Sequence, residues 1–456
     1  MSRAESHFVH LNRALTTQVI EALQSGRNTA VLAEAPPGAG KSTLTTSVAQ
    51  SLAAADKRLR VPVVTQTNEQ ADDLLLTLAE RYPKLKIARL TASQGPSVAV
   101  TRQLSSVVRA TTDLEEAMNS QVIVATARKW QYVRAGIQKH GGGARFEVAL
   151  IDEAYQMRSD TLLGIADLFR QLFCVGDPGQ LDPFTIVDDS VWKGLWYSPA
   201  RTAMGTLRAA HPELQPIRLP TSWRLPPSAA GLVAAAFYPT APFAAGTQAA
   251  QRSLTLTARA RSQPLAQPID RALEQASATG WAYLELPERL TVRTDQEVAR
   301  TLASLIRRLK ERKPVVTDER STEPRAVTLG QIALVTAHND QVLAARKALS
   351  DEGVDPDALT VSTANKIQGR EYEIVFVWHP LAGRRDASAF HLESGRMCVM
   401  LSRHRHACIV VGRAGASRLL SEFPDSDPMY LEEPEKFPDG WEANFQVLEH
   451  LARRRV

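Results

Sequence analysis

The chain has 456 residues, 44% of them hydrophobic and 23% charged, which is an ordinary composition for a soluble globular protein of two or three domains. Its three cysteines, Cys174, Cys398 and Cys408, lie in or beside apolar runs, so buried free thiols are expected rather than a disulfide framework or a zinc site. No apolar run reaches the about 18 residues that cross a bilayer, and the first residues lack a secretory signal core, so we expect a soluble, cytoplasmic protein. The net charge of +5 leans towards a polyanionic partner.

The first elements in chain order are a helix, a strand and a glycine-rich turn. Apolar residues recur at helical spacing over residues 7–25, and this amphipathic helix carries Gln18. A short apolar strand follows at 29–33, and the turn Glu34–Thr43 leads into a second helix over 44–52. Strand, glycine-rich turn and helix in this order predict a phosphate-binding loop.

The residues of this turn match what a polyphosphate requires. Gly38 and Gly40 lack a Cβ and let backbone N–H groups turn inward, and the next helix adds its positive N-terminal end. Lys41 supplies a cation for the β and γ phosphates, and Ser42 supplies a hydroxyl for Mg²⁺. The alternative is a chance match in an ordinary loop, since Ala35 stands where the pattern usually has its first glycine. The predicted nucleotide contacts in this turn are Pro37, Gly38, Ala39, Gly40, Lys41, Ser42 and Thr43.

Two further apolar runs end in small polar residues, as parallel strands do where a sheet contacts its ligand. The first covers 61–64 and is followed by Thr65–Asn68 and a helix to Leu78, and the second is Gln121–Thr126. Between them we expect a strand near Ile87 and a helix at 110–118, with room for a small insertion at about 85–120. The glycines at 141–143 are expected to form a flexible loop.

An apolar run at 148–151 precedes two adjacent carboxylates, Asp152 and Glu153. A buried parallel strand that ends in two acids suits a nucleotide site, in which Asp152 holds Mg²⁺ and Glu153 orients and deprotonates the attacking water. Acidic pairs also begin ordinary helices, because they favour the N-terminal dipole. The phosphate-binding loop earlier in the chain favours the catalytic interpretation.

The strand Leu172–Gly176 ends in a tight turn with Asp177 and Gln180, and Gln180 can reach a γ-phosphate or its water. Residues 216–227 are rich in proline and are expected to cross between two domains. The Trp223-Arg224 pair in this crossover offers a flat aromatic surface and a positive charge. Residues 229–280 predict alanine-rich helices of modest packing.

The second half of the chain alternates strands and helices, which implies a second parallel sheet. A helix that begins near Gln296 ends in a basic run, which we interpret as a solvated face with nucleic-acid contact as the alternative. Residues 314–328 are expected to be an exposed loop, and residues 382–394 a polar loop. The basic run is Arg307, Arg308, Lys310, Arg312 and Lys313. The predicted strands are 331–336, 359–363, 374–378 and 407–411, and the predicted helices are 341–350 and 395–403.

The order of these motifs resembles superfamily 1 helicases, and most closely the branch related to the nonsense-mediated-decay helicase, over residues 11–415. The resemblance implies an α/β fold of two tandem RecA-like parallel-sheet domains with the ATP site in the cleft between them. We expect the first domain over 1–215, the second over 216–420 and a peripheral tail over 421–456. The segments that carry the resemblance are APPGAGKS, TQTNEQADDL, LIDEAYQ, VGDPGQLDP, PTSWRLPP, VTAHNDQ, ANKIQGREYEIV and VMLSRHRH.

The resemblance also implies roles for individual residues of the nucleotide site. Gln18 is similar to the glutamine that reads the adenine edge, and Trp223 stands where the family has an aromatic residue that stacks on adenine. Glu371 resembles the ribose-binding glutamate, with Gly369 and Arg370 beside it. The implied catalytic residues are Lys41, Glu153, the γ-phosphate sensor Gln180, and two arginines that reach the γ-phosphate, Arg224 and Arg403.

The resemblance extends to the nucleic-acid site, with some departures. His404 and His406 replace small or aromatic residues of the last motif, Cys398 replaces a polar residue before it, and His338 replaces an aromatic residue. These departures leave the details of strand contact open. The positions that match nucleic-acid contacts are Thr67, Asn68, Thr126, Thr336 and Thr363.

The expected activity is nucleic-acid-stimulated hydrolysis of ATP, with Mg²⁺, by a monomer that moves 5′→3′ on single-stranded DNA or RNA. An ATP-gated clamp or remodelling module without processive unwinding is the alternative, because the accessory regions are short. A phosphate-loop kinase of a small molecule would explain neither the second sheet nor its arginines. Contacts to the sugar–phosphate backbone do not by themselves distinguish DNA from RNA.

Overall fold

A computed structural model describes most of the chain. The described residues are 3–92, 108–138, 145–181, 183, 190–192, 195, 198–199, 201–259, 267–291, 294–367, 369–422 and 439–456. The predicted loop at 141–143 and residues 93–107 of the predicted insertion lie outside this part. Within the described residues, no helix is long and apolar enough to cross a membrane.

The first half of the chain folds around a parallel sheet with helices on both faces. Its strands are β1 Ala30–Glu34, β2 Val61–Thr65, β3 Ile87–Leu90, β4 Val108–Thr111, β5 Val122–Thr126, β6 Phe146–Ile151, β7 Phe169–Gly176 and β8 Ile217–Arg218. They lie in the order β4-β3-β5-β2-β6-β7-β1-β8. The helices are α1 Arg3–Gln24, α2 Lys41–Ala55, α3 Asn68–Arg81, α4 Leu114–Ala117, α5 Ala127–Gln138, α6 Ser159–Leu163 and α7 Ala203–Ala210.

Strands β1 and β2 of this sheet are buried along their whole length, as expected for a parallel sheet with helices on both faces. One apolar cluster joins α1, α2 and α3 to one face, and a second joins α5, α6 and α7 to the other. Residues 110–118, predicted as one helix, instead contain the end of β4 and the short helix α4.

The second half contains a smaller parallel sheet and two accessory sheets. Its strands are β9 Thr221–Ser222, β10 Ala244–Ala245, β11 Ser253–Leu256, β12 Trp281–Leu286, β13 Pro314–Asp318, β14 Ser321–Ala326, β15 Ile332–Thr336, β16 Thr360–Thr363, β17 Tyr372–Trp378 and β18 His404–Arg413. The main sheet has the order β12-β18-β17-β15-β16, while β9 pairs with β10 and β11-β13-β14 form an antiparallel sheet. The helices are α8 Pro227–Phe237, α9 Gln267–Thr279, α10 Gln296–Glu311, α11 Asn339–Asp351, α12 Ala389–Leu392, α13 Ser394–Leu401, α14 Ala416–Glu422 and α15 Gly440–Ala452.

The predicted fold class is confirmed: the protein has two RecA-like domains, each built on a parallel sheet. All three cysteines are buried free thiols, also as predicted. Strand β8 pairs with β1, so the first sheet extends to Arg218 before the chain crosses to the second domain.

Three segments of the second domain differ from the prediction. Residues 314–328 are not an exposed loop, because β13 and β14 form a hairpin there. Residues 229–280 are not simply helices of modest packing: α8 is buried in the core, and β11 and β12 join two different sheets. The loop predicted at 382–394 contains the short helix α12.

The basic run at the end of α10 is not a uniformly solvated face. Arg308 and Arg312 are buried, and both donate to the carboxylate of Asp270 on α9, at 2.9 and 2.6 Å. These two arginines therefore join helices within the domain and are not available for nucleic-acid contact.

The tail was expected to be peripheral, and its last helix corrects that interpretation. Helix α15 buries Ala443, Val447 and Leu451 in the same apolar cluster as α8 and α13. Asn444 donates from its buried side chain to the carbonyl of Leu392. The described end of the chain thus forms part of the second domain.

Candidate nucleotide site

The phosphate-binding loop connects β1 to α2 and presents its backbone to a cavity of about 260 Å³ between the domains. Gly38 has φ +71° and Gly40 has φ +93°, values in the left-handed region that favours glycine. A Cβ on Gly38 would lie 2.2 Å from the Cβ of Arg224, which belongs to the crossover segment. Only glycine therefore allows the loop and the crossover to approach this closely.

The cavity collects predicted site residues from both halves of the chain, and one residue that was not predicted, Arg320. Its wall from the first domain is formed by Gly38, Ala39, Gly40, Lys41, Ser42, Thr43, Glu153 and Gln180. Its wall from the crossover and second domain is formed by Trp223, Arg224, Arg320, Gly369, Glu371 and Arg403. Cations and backbone N–H groups on these walls suit a polyphosphate.

Asp177 connects the phosphate-binding loop to the second domain. It is fully buried and accepts hydrogen bonds from the ammonium of Lys41, at 3.3 Å, and from the side-chain amide of Gln180. The phenol of Tyr238, the residue that follows α8 of the second domain, donates to its other oxygen. Burial and the charge of Asp177 raise the pKa of Tyr238 well above its usual value, so this phenol remains a donor. Sequence reasoning missed Tyr238, which lies in the alanine-rich segment.

The adjacent carboxylates lie where β6 ends. Glu153 has φ +52°, a left-handed conformation that is rare for a residue with a side chain and common at functional sites. Its Oε1 lies 3.7 Å from the ammonium of Lys41. Its Oε2 is buried and has no hydrogen-bond partner among the described residues, so it is available to a bound molecule.

Asp152 fits a divalent cation. Burial, and then the charge of Glu153, raise its pKa to about 7, because a second negative charge is unfavourable here without a cation. In the described part of the chain, no cluster of three His, Cys, Asp or Glu side chains could hold a metal by itself. Mg²⁺ commonly takes one or two protein ligands and completes its shell with water and phosphate oxygens, so Asp152 and Ser42 fit it.

The second domain brings a buried arginine to the opposite wall. Arg403 is 1% exposed, and burial together with the nearby charge of Arg224 lowers its pKa to about 10. Its Nε and Nη2 atoms find no hydrogen-bond partner within the described residues. A buried guanidinium with unsatisfied donors is costly unless an anion pairs with it.

Glu371 lies at the other end of the same wall. Its carboxylate is within 3.4 Å of three guanidinium groups, those of Arg224, Arg320 and Arg405. Despite burial, these charges lower its pKa to about 2, with Arg224 the largest of them. Glu371 is therefore ionised at neutral pH and able to accept hydrogen bonds from a sugar hydroxyl.

Several predicted nucleotide contacts do not line this cavity. The side chain of Gln18 is exposed on α1, whereas Asn12 from the same helix lines a narrow second cavity with Ala39 and Trp223. Pro37 lies outside the lining of the cavity, and its carbonyl accepts a 2.6 Å hydrogen bond from the hydroxyl of Ser222. Arg370 is exposed. Its positive charge partly offsets, across the domain interface, the rise that burial causes in the pKa of Asp73 on α3.

The predicted nucleic-acid residues lie at strand ends in both domains. Thr67 is exposed and caps α3, and the exposed Asn68 accepts a hydrogen bond from Arg89. Thr126 ends β5, and its hydroxyl caps the next helix through the N–H of Lys129. Thr336 and Thr363 end neighbouring strands of the second sheet, but both are buried.

The four residues that depart from the family motifs all make specific contacts within the protein. His406 lies with Nδ1 2.7 Å from Glu373 and Nε2 3.0 Å from the carbonyl of Thr317. His404 packs edge-on against Trp281 in the core. His338 stacks on Phe390, with ring centroids 4.7 Å apart. Cys398 is buried with its sulfur 3.6 Å from the phenol oxygen of Tyr238.

Comparison with known proteins finds two AAA-domain families, one over residues 14–198 and the other over residues 200–415. A stretch of 151 residues, 32% of this chain, is 30% identical to the DNA replication ATP-dependent helicase/nuclease DNA2 of Gallus gallus. The match spans 14% of the length of that protein.

Solved structures of viral helicases are also similar to this chain. The helicase of PRRSV is 14% identical and matches over 90% of this chain and 57% of its own, with a TM-score of 0.42. Arterivirus nonstructural protein 10, a helicase, is 13% identical and matches over 87% and 63%, with a TM-score of 0.43. The chain therefore spans less than two thirds of the length of either viral protein.

The fold and the cavity define the class of the protein: two tandem RecA-like α/β domains that enclose a cavity suited to a polyphosphate. More particularly, each half of the chain is similar to an AAA domain, and a shorter stretch is similar to the DNA2 helicase/nuclease.

Proposed function

We propose that this protein hydrolyses ATP in the cavity between its domains and thereby moves along single-stranded nucleic acid in the 5′→3′ direction. The divided cavity carries the proposal. Lys41 and Glu153 face it from the first domain and Arg403 from the second. Among the described residues, buried polar atoms without partners occur on both walls: Glu153 Oε2, Gln180 Oε1, and Arg403 Nε and Nη2. A triphosphate and its attacking water would satisfy all of them.

Individual side chains would have distinct roles in such a reaction. Lys41, now paired with Asp177 and Glu153, would turn to the β and γ phosphates. Glu153 would then be released to take the proton of the attacking water, which Gln180 positions. Asp152 and Ser42 would hold Mg²⁺, which supplies neutralisation of phosphate charge.

Hydrolysis would depend on the approach of the two domains. Arg403 directly precedes β18 and Arg224 lies in the crossover, so neither domain alone contains the full set of charges. An arginine supplied across an interface typically contributes about 10³–10⁵ in rate. Opening and closing of the cavity would also move the strand-end residues of one domain relative to those of the other, which is how such a protein would advance along a strand.

The test compares ATPase activity of the purified full chain with no nucleic acid, with single-stranded DNA and with RNA of equal length and mixed sequence. We expect stimulation, little dependence on base sequence, and loss of activity in Lys41→Ala. Affinity should fall with salt, with a slope of log K of roughly −0.7 per phosphate contacted. The DNA2 relative makes DNA the first substrate to test. Absence of stimulation by either nucleic acid would count against the proposal.

A second candidate is an ATP-gated clamp that holds nucleic acid without processive unwinding. The burial of Thr363 favours it, because the equivalent Thr126 of the first domain is partly exposed and the second domain then offers a less open contact surface. A duplex with a 5′ or a 3′ single-stranded tail separates the two candidates. ATP-dependent strand separation on the 5′-tailed duplex supports the motor, whereas ATP-dependent retention without separation supports the clamp.

A further inference from the structure

The β13–β14 hairpin brings a residue into the nucleotide cavity that no motif of the sequence marks. Its tip is Asp318, Glu319 and Arg320. One oxygen of Asp318 accepts from the backbone N–H groups of Arg320, at 2.9 Å, and Ser321, at 3.0 Å, which closes the tip into a fixed turn. Arg320 lines the cavity together with the phosphate-binding loop.

The tip is attached to β18, the strand that begins directly after Arg403. Arg405 lies in this strand, two residues after Arg403, and is 2% exposed. Its Nη2 donates to Asp318 and to Glu319, at 3.0 Å in each case. Buried charge-assisted hydrogen bonds of this kind hold a fixed geometry, so the hairpin tip and the start of β18, next to Arg403, form one rigid unit.

The tip is also attached to the crossover segment. Arg252 on the neighbouring part of the accessory sheet binds Glu319 with two nitrogens, each at 2.7 Å. The same guanidinium donates to the backbone carbonyls of Trp223, at 2.7 Å, and of Arg224. The hairpin thus positions both crossover residues that line the cavity, although it lies outside the two parallel sheets.

The guanidinium of Arg320 faces the cavity and has solvent access. Its side chain is 60% exposed, and its Nη2 lies 3.3 Å from Oε1 of Glu371, whose other oxygen binds Arg224. Arg405 is already paired with Asp318 and Glu319, so Glu371 is shared between Arg224 and Arg320, and one carboxylate does not neutralise both. Arg320 is the most exposed of the three and is therefore the one that a ligand can engage most easily.

We propose that Arg320 is a nucleotide-binding residue: the hairpin supplies a guanidinium that pairs with bound ATP and, through Glu371, fixes the far wall of its site. This inference rests on the proposed ATPase function and adds a residue to it. Because the contact is made to bound nucleotide in both the ground state and the transition state, it contributes to affinity and leaves the chemical step unchanged.

The test is titration calorimetry of ATP into the full chain without nucleic acid, combined with steady-state ATPase assays. Arg320→Ala should raise the Kd and the KM for ATP about 5- to 10-fold, with kcat within about 2-fold of wild type. Arg320→Lys should fall between them, because an ammonium keeps the charge but loses the planar fork. The control is Glu323→Gln, an exposed change on the same hairpin, which should alter neither constant.

Unchanged ATP affinity in Arg320→Ala, or a fall in kcat at constant KM, would overturn the inference. Because Arg320 is largely exposed, the thermal unfolding midpoint of Arg320→Ala should stay within about 2 °C of wild type. If Arg320→Ala proves unstable, Arg320→Lys decides, and wild-type affinity in that variant overturns the inference as well. A wild-type chain that binds no ATP would instead contradict the proposed function itself.

Discussion

The strand-end turns after β2 and β15 are built in the same way, although they belong to different domains. The first reads Thr-Gln-Thr-Asn-Glu-Gln over 65–70, and the second reads Thr-Ala-His-Asn-Asp-Gln over 336–341. In the first, Oε1 of Gln70 accepts two backbone N–H groups, at 3.0 and 3.2 Å. In the second, Oε1 of Gln341 accepts the two equivalent groups, both at 3.1 Å.

The neighbouring strands repeat the correspondence. Thr65 lies beside Thr126 in the first sheet, and Thr336 lies beside Thr363 in the second. The sequence after each second threonine is also similar: Thr-Ala-Arg-Lys over 126–129 and Thr-Ala-Asn-Lys over 363–366. The two domains therefore present equivalent pairs of turns at the same edge of equivalent sheets.

The nucleotide residues are not repeated in this way. The phosphate-binding loop, Asp152 and Glu153 belong to the first domain, whereas Arg403 and Glu371 belong to the second. The repeated turns suit a repeated ligand such as a sugar–phosphate backbone, and the unrepeated residues suit a single nucleotide held between the domains. We therefore expect substitutions at the nucleotide residues to lower ATP turnover, and substitutions at the repeated turns to weaken binding of nucleic acid.

The largest effects are expected at the nucleotide residues of the first domain. Glu153→Gln should lower ATP turnover by about 10²–10⁴-fold while it retains ATP binding, because it removes the general base and little of the phosphate contact. Lys41→Ala should lose both turnover and binding. Steady-state ATPase assays and calorimetry measure the two properties. Turnover near wild type in Glu153→Gln would remove the assignment of Glu153 as the base.

A smaller effect is expected where the domains meet at Asp177. Tyr238→Phe removes one hydrogen bond to Asp177 and should lower turnover about tenfold, since Asp177 also orients Lys41 and Gln180. The matched control is Tyr283→Phe, which removes another buried phenol of the second domain away from the cavity. Equal turnover in the two variants would show that Tyr238 is only a packing residue.

The equivalence of the turns can be tested by removal of their caps. Gln70→Met and Gln341→Met each remove the acceptor of two backbone N–H groups and should weaken binding of a single-stranded oligonucleotide about 3- to 10-fold. Fluorescence anisotropy at fixed salt measures this affinity. A loss confined to one of the two variants would break the correspondence between the domains.

The smallest effect concerns the acid stability of the second domain. Burial lowers the pKa of four histidines there: His379, His391 and His450 to about 4, and His404 to about 3. Below pH 6.5 the unfolded chain binds protons that the folded domain does not bind, so stability present at neutral pH is lost as the pH falls towards 4.

Hydrogen exchange at pH 7 and pH 5, corrected for intrinsic rates, follows this loss in each domain separately. Amides of β17 and β18 should lose more protection than amides of β6 and β7. His404→Phe, which keeps an aromatic ring against Trp281, should reduce the difference. Equal loss of protection in the two sheets would contradict the assignment.

The nucleotide site was largely predictable because its parts are short and contiguous. Gly38, Lys41 and Glu153 each lie in a short motif that directly follows an apolar strand and whose residue types and spacing are typical of a nucleotide site. The alternation of strands and helices predicted the second parallel sheet, and the resemblance to superfamily 1 helicases implied that the two domains are RecA-like. The positions of the phosphate-binding loop and the carboxylate turn could therefore be predicted from the sequence alone.

The remaining parts depend on partners that are distant in sequence. Tyr238 binds Asp177 across 61 residues, and the charged tip of the β13–β14 hairpin resembled a solvated loop because Arg405, 86 and 87 residues away, was not visible as its partner. Arg308 and Arg312 resembled a surface run for the same reason, since Asp270 lies on another helix. Burial of charge by pairing is a property of the tertiary structure and leaves no local pattern.

Hydrolysis is proposed to require that Arg403 of the second domain completes the nucleotide site. The most direct measurement compares ATP affinity and nucleic-acid-stimulated turnover in Arg403→Ala and Arg403→Lys with those of Arg300→Ala, an exposed arginine of the same domain. We expect turnover to fall about 10³-fold or more in both Arg403 variants, with ATP affinity within about 3-fold of wild type and no change in Arg300→Ala. Wild-type turnover in Arg403→Ala would contradict the central claim that hydrolysis requires both domains.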